Sequence, residues 1–249
     1  MAGHSKWATT KRAKAVVDAK RGKLFTKIAR EIVVATKEGG TVVENNPRLR
    51  KAIELAKEAN MPQENIKKAM QRGSGEIPGA VYEEMTYEGY GPAGVAVIVE
   101  ITTDSKNRTA AEIRKIFSNN GGNLGETGSV GFMFDRKGFI TVEKSAGAEE
   151  DIMNLALEAG ADDFNAEADD VYGIYTAPEN LDKVKQAIKA KNIAVGIAEL
   201  QMIPKNFIAV TGASAESMVK LMDELEGHDD VKEVYANFDI DSAELERLG

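Results

Sequence analysis

Apolar residues recur at helical spacing through the first third of the chain. Leu24, Phe25, Ile28, Ile32 and Ala35 share one helical face, and Gly39-Gly40 ends the run. Asn46-Pro47 predicts a helix start, a capping side chain followed by proline in the first turn, with Leu49, Ala52, Ile53 and Ala56 facing inward. Pro62 opens a third helix that buries Ile66, Ala69 and Met70 and closes at Gly73. The following GSGEIPGA (73–80) is a linker by composition.

The period then changes. Val81, Met85 and Tyr87 alternate with polar residues as in a half-buried strand, and GVAVIVEIT (94–102) is apolar enough for a central strand. Ala110, Ile113, Ile116 and Phe117 form a helical stripe, and Val130, Phe132 and Phe134 alternate as a further strand. From 138 to 203 the elements read strand (139–142), helix (Ile152 to Ala159), strands (164–168 and 171–176), helix from Pro178, strand (194–203). This β-α-β-β-α-β order is the ferredoxin-like pattern. A lone strand-helix-strand remains: 207–210, a helix carrying Met218, Leu221, Met222 and Leu225, and 231–238. It is too small for its own core and is expected to complete the sheet begun at 81–134. The expectation is an α+β protein of three domains: a basic helical domain (1–80), a discontinuous α+β domain (81–135 with 206–249), and a ferredoxin-like domain (136–205) inserted into it.

Charge sharpens this division. The 249 residues carry a net charge of −8, yet residues 1–37 hold ten Lys and Arg against Asp18 and Glu31. Residues 1–80 carry 17 basic and 8 acidic residues, a net of +9, which leaves 15 and 32, a net of −17, for the remainder. A basic head on an acidic body is the electrostatic footprint of a polyanion ligand. There are no cysteines and only two histidines, His4 and His228, so disulfides, thiolate sites and His-rich metal sites are not expected. No apolar run approaches a membrane span, and the basic N-terminus lacks the apolar stretch of a secretory signal. A cytoplasmic protein without a cofactor is expected.

Candidate nucleic-acid contacts are Lys6, Trp7, Lys11, Arg12, Lys14, Lys20, Arg21, Lys23, Lys27 and Arg30: cations neutralise phosphates, and an aromatic can stack on an unpaired base. A solvated helix face is the competing account. Arg48, Arg50, Lys51, Lys67, Lys68 and Arg72 extend the positive charge over the second and third helices. TDSKNRT (103–109) opens the helix of the middle domain and places Lys106 and Arg108 beside free backbone N–H groups, either as an anion site or as a capping turn. Two glycine-rich stretches argue against nucleotide chemistry. GYGPAG (89–94) joins strand to strand and has a proline where a phosphate needs an N–H, and GGNLGETGS (121–129) lacks a P-loop lysine and follows a helix C-terminus, so it reads as a tight turn. Acid pairs such as Asp229-Asp230 read as turns and surface, and nothing argues for catalysis.

GHSKWA (3–8), DAKRGKLFTKIAREI (18–32), NPRLRKAIELAKEANMP (46–62), TDSKNRTA (103–110), GGNLGETGSVGFMF (121–134) and VYANFDI (234–240) resemble the YebC/PmpR family from end to end. The resemblance implies a helical bundle, an α/β domain and an inserted ferredoxin-like domain. It also implies a non-enzymatic protein without a metal, acting either as a DNA-binding transcriptional regulator or in translation, where members activate mitochondrial translation or relieve ribosomes stalled on proline-rich sequences. Residues 9–14 (TTKRAK) depart from the Asn-Ile-Lys-His stretch of many members but keep its charge. The expected function is a nucleic-acid-binding regulator associated with ribosomal RNA, with promoter DNA as the alternative target and a basic protein as a further partner of the acidic body. No membrane partner or small-molecule substrate is expected.

Overall fold

The structure, a computed structural model, describes residues 21–168, 170–241, 244 and 247, without the side chain of Arg21. Helices α1 (Arg21–Gly39), α2 (Pro47–Glu58) and α3 (Gln63–Ser74) come first. Strands β1 (Glu83–Tyr90) and β2 (Ala96–Thr103), helix α4 (Lys106–Asn119) and the short β3 (Asn123–Leu124) follow. Next come β4 (Phe134–Glu143), α5 (Glu149–Ala159), β5 (Asp163–Asn165), β6 (Val171–Thr176), α6 (Leu181–Ala190) and β7 (Ala198–Pro204). The chain ends with β8 (Ile208–Ala209), α7 (Gly212–Glu226), β9 (Val231–Ala236) and β10 (Phe238–Asp239). It is the α+β protein that the pattern predicts, and it divides into two compact units, one holding residues 21–130 and 212–234 and the other 131–211 and the described part of 235–249.

In the first unit, α1, α2 and α3 bury Ile28, Ile32, Ala35, Leu49, Ala52, Ala56, Ile66 and Ala69 in one core. Asn46 organises the turn between α1 and α2. Its Oδ1 accepts the Leu49 N–H at 3.0 Å, and its Nδ2 donates to the carbonyls of Ala35 (2.8 Å) and Gly40 (2.9 Å), so one buried side chain caps two helices. The third helix closes later than expected. Gly75, with φ +82°, is the left-handed cap, while Gly73 lies inside α3, where a Cβ would come within 2.5 Å of the Val33 carbonyl oxygen. Gly73 therefore serves close helix packing rather than termination.

The sheet of this unit runs β3-β1-β2-β9, with β2 internal as its apolar run predicts. The 207–210 strand departs from expectation: β8 pairs in parallel with β10 in a two-stranded sheet, so of the terminal strands β9 joins the larger sheet and β8 does not. Val130, Phe132 and Phe134 also do not form a strand of their own. Gly131–Met133 is a single 3-10 turn, and Phe134 begins β4. The Val130 N–H is taken by the Glu88 carboxylate at 2.7 Å, and Phe132 stands 65% exposed.

The second unit contains the ferredoxin-like sheet, in the order β5-β6-β4-β7 with antiparallel neighbours throughout. Ile140, Val142, Ile152, Ala156, Ile174, Val184 and Ile188 form the core between this sheet and α5 and α6. β5 is shorter than the predicted 164–168, and β7 begins at Ala198 rather than at 194.

Candidate nucleic-acid interface

Lys6, Trp7, Lys11, Arg12, Lys14 and Lys20 lie outside the described residues, and Arg21 is described by its backbone alone. The remaining expected contacts on α1 form a row at helical spacing, Lys23, Lys27 and Arg30. This row meets the C-terminal end of α7. Lys23 Nζ donates to the Gly227 carbonyl (2.9 Å), Lys27 Nζ to the Glu226 carbonyl (2.7 Å), and Arg30 Nη1 to the Asp229 carbonyl (2.6 Å). The last carbonyls of a helix carry its negative dipole end and have no partner within the helix, so cations placed there act as caps.

Arg30 also reaches the carboxylate of Asp230, 2.6 Å to Oδ1, and stacks on the Tyr82 ring at 5.4 Å from its centroid. Asp230 is 3% exposed. Its Oδ2 accepts from Thr109 Oγ1 (2.6 Å), Arg108 Nη2 (2.7 Å) and Thr103 Oγ1 (3.1 Å). Burial works to raise its pKa, but the bonds from Thr109 and Arg108 and the charge of Arg30 outweigh burial and hold the carboxyl well below the usual carboxylate range. The sequence suggested an anion at the start of α4. The protein supplies one of its own, from 122 residues beyond Arg108.

Glu112, His228 and Asp230 bring ligand atoms within 4.8 Å of one another, close enough to raise the question of a metal. Their hydrogen bonds answer it. His228 Nδ1 accepts the Asp230 N–H at 3.1 Å, which leaves the proton of the neutral ring on Nε2, 3.0 Å from Glu112 Oε2. The imidazole lone pair is in use, and two guanidinium groups face Asp230, so a divalent cation would meet opposing charge.

Lys106 pairs with Glu83 at 2.5 Å on an exposed surface, and Arg108 remains 45% exposed while it bonds Asp104 and Asp230. Arg114, which the sequence reading passed over, is exposed on the same helix. The half-exposed Tyr87 of β1 donates its hydroxyl to the Lys106 carbonyl at 3.4 Å.

Of the second basic group, Arg48 is turned inward. It bonds Glu31 (2.6 Å), Glu38 (2.7 Å) and Glu84 (2.6 Å), and Lys232 joins Glu31 (3.1 Å) and Glu84 (3.3 Å). Burial disfavours both carboxylates, yet hydrogen bonds from Arg48 and the charge of Lys232 lower their pKa values. Arg48 thus adds little to a positive surface, whereas Arg50, Lys67, Lys68 and Arg72 are exposed.

The glycine-rich stretches take structural roles. Pro92–Gly94 is a turn between β1 and β2. At 121–129, Glu88 accepts the Gly128 N–H (2.8 Å) as well as that of Val130, so the backbone donors a phosphate would need already hold a carboxylate.

Residues 5–76 match the family model described as TACO1/YebC protein N-terminal domain, and residues 82–238 the model described as TACO1/YebC second and third domain. A protein of Endomicrobium trichonymphae named "Probable transcriptional regulatory protein" is 65% identical over 100% of this chain and 99% of its own. One of the same name from Dictyoglomus turgidum is 55% identical over the full length of both. A crystal structure of a conserved hypothetical protein from Aquifex aeolicus superposes with a TM-score of 0.82 at 46% identity, covering 92% of this chain and 94% of that one.

Proposed function

The chain belongs to the TACO1/YebC family, and from that premise we propose that it is a non-enzymatic regulator of gene expression that works in the cytoplasm by binding nucleic acid. The observation that carries this reading is the charge of residues 1–37, ten cations against two acids on a chain that is acidic overall. Lys6, Lys11, Arg12, Lys14, Lys20 and Arg21 are the phosphate contacts, with Trp7 available for stacking. Lys23, Lys27 and Arg30 contribute less, because their charged ends already meet the oxygens of α7 and its following turn. Lys106 and Arg108 are second-tier contacts.

Folded ribosomal RNA is the preferred target, read by shape and phosphate, and assistance to elongation on proline-rich sequences is the role that goes with it. The sequence carries no helix-turn-helix signature or coiled-coil seam that would set a dimer on two-fold DNA. The acidic remainder, at −17, suits a basic protein neighbour on the same particle. A second reading, a transcriptional regulator at promoters, is favoured by the names of the relatives. Ultraviolet crosslinking in cells, with sequencing of the attached RNA and DNA, separates the two. Crosslinks concentrated in ribosomal RNA and lost on deletion of residues 1–20 support the first reading, crosslinks at a few promoters support the second, and crosslinks to neither overturn the nucleic-acid role.

A further inference from the structure

Among the described residues, β3 pairs with β1 at Gly89 and Tyr90 and the Gly125 N–H reaches the Glu88 carbonyl, so residues 83–87 of β1 form a sheet edge. Tyr87 lies on this edge beside α4. The Gly89 face of β1 meets the Phe117 ring of α4, and Tyr87, two residues earlier, shares that face. Its hydroxyl bond to the Lys106 carbonyl steadies the ring, and the ring makes no aromatic or cation–π contact among the described residues. Lys106, Ala110 and Arg114 follow one another at four-residue intervals, which places the backbone positions of the two cations about 12 Å apart along one side of the helix. Burial pushes the phenol above its ordinary pKa, although the charges of Arg114 and Lys106 pull it the other way, so the ring stays neutral. Arg108 and Glu112 belong to the other side of α4, where they face Asp230 and His228.

We propose that Tyr87, Lys106 and Arg114 form a second contact surface, for an unpaired stretch of RNA, with a base stacked on the Tyr87 ring and its flanking phosphates on the two cations. This rests on the nucleic-acid reading above and adds an unpaired segment to what the basic N-terminus binds. A neutral, half-exposed ring on the same helix flank as two exposed cations suits a base and its phosphates, while a base inside a duplex has no free face to offer. Lys106 is shared with Glu83 on an exposed surface and exchanges that partner for phosphate at little cost, as exposed pairs are weak. Arg114 makes no ion pair among the described residues and has none to give up.

The test uses the full chain and two fluorescein-labelled probes of equal length, a single-stranded oligoadenylate and an RNA duplex, titrated by anisotropy over a range of salt. Y87L is expected to weaken single-strand binding about tenfold. Y87F should keep it, because the ring and not the hydroxyl stacks. R114Q should lower the salt slope on the single strand by about 0.7. None of the three should change duplex binding, and the exposed R114Q should melt at the wild-type temperature. If the wild type binds the single strand and both Y87L and R114Q bind it equally well, this surface is overturned while the nucleic-acid reading stands. If the wild type binds neither probe, both fall together.

Discussion

Helices α1 and α4 each carry a row of cations along one side, and the two rows end in opposite situations. Lys23, Lys27 and Arg30 of α1 reach carbonyl and carboxylate oxygens at the end of α7. Lys106 and Arg114 of α4 stay exposed near a half-exposed tyrosine, Lys106 in a surface pair with Glu83. In sequence the α1 row is the denser of the two and the stronger candidate for phosphate. What decides the matter is the partner across the fold, because a basic residue opposite a helix C-terminus or a buried aspartate already has oxygens of the protein as hydrogen-bond acceptors. Positive charge in a sequence therefore counts toward an interface only after the internal anions have taken their share.

The comparison breaks most visibly at Asp230. D230A leaves Arg30 and Arg108 facing each other without their shared anion and Thr109 without its acceptor, and should cost about 3–5 kcal/mol, read as a lower urea midpoint. Acid should act in the same direction. The carboxyls of Asp230, Glu31 and Glu84 have pKa values lowered by folding, so at acid pH the unfolded chain binds more protons than the folded one. The stability they contribute is full above the ordinary carboxylate range, near pH 4, and is lost as pH falls below it through the folded values. Urea midpoints measured from pH 6 to pH 3 should fall, and D230N should show a shallower fall than the wild type.

A smaller effect is expected at the glycine-rich loop. E88A removes the acceptor for the Gly128 and Val130 N–H groups and should cost about 1–3 kcal/mol, with E88Q closer to wild type. The smallest is K23Q, an exposed contact at the helix end, expected within about 0.5 kcal/mol of wild type in the same measurement.

Much of the fold is legible in the sequence because its signals are local. Asn46-Pro47 marks a helix start through bonds within three residues, and the β-α-β-β-α-β order follows from period changes alone. The misplacements occur where a distant partner decides. Gly73 reads as a stop, yet the backbone of α1 packed against it makes it an interior residue. Val130 reads as a strand, yet Glu88, 42 residues earlier, takes its N–H. Asp230 reads as half of a surface acid pair. Its role as an internal anion depends on Arg30, 200 residues away, which no spacing rule connects to it. Tyr87 was legible as a strand residue, but its place beside Lys106 and Arg114 needed the packing of α4 on the sheet.

The most direct test of the account is the salt dependence of nucleic-acid binding by three full-length proteins: wild type, a variant with Lys11, Lys14 and Lys20 changed to Gln along with Arg12 and Arg21, and the double variant K23Q/K27Q. A slope reduced by about 3–4 is expected in the five-site variant and a nearly unchanged one in the double variant, because the first set meets phosphate and the second caps α7. A wild-type slope in the five-site variant, or an equal loss per residue in the double variant, would contradict it.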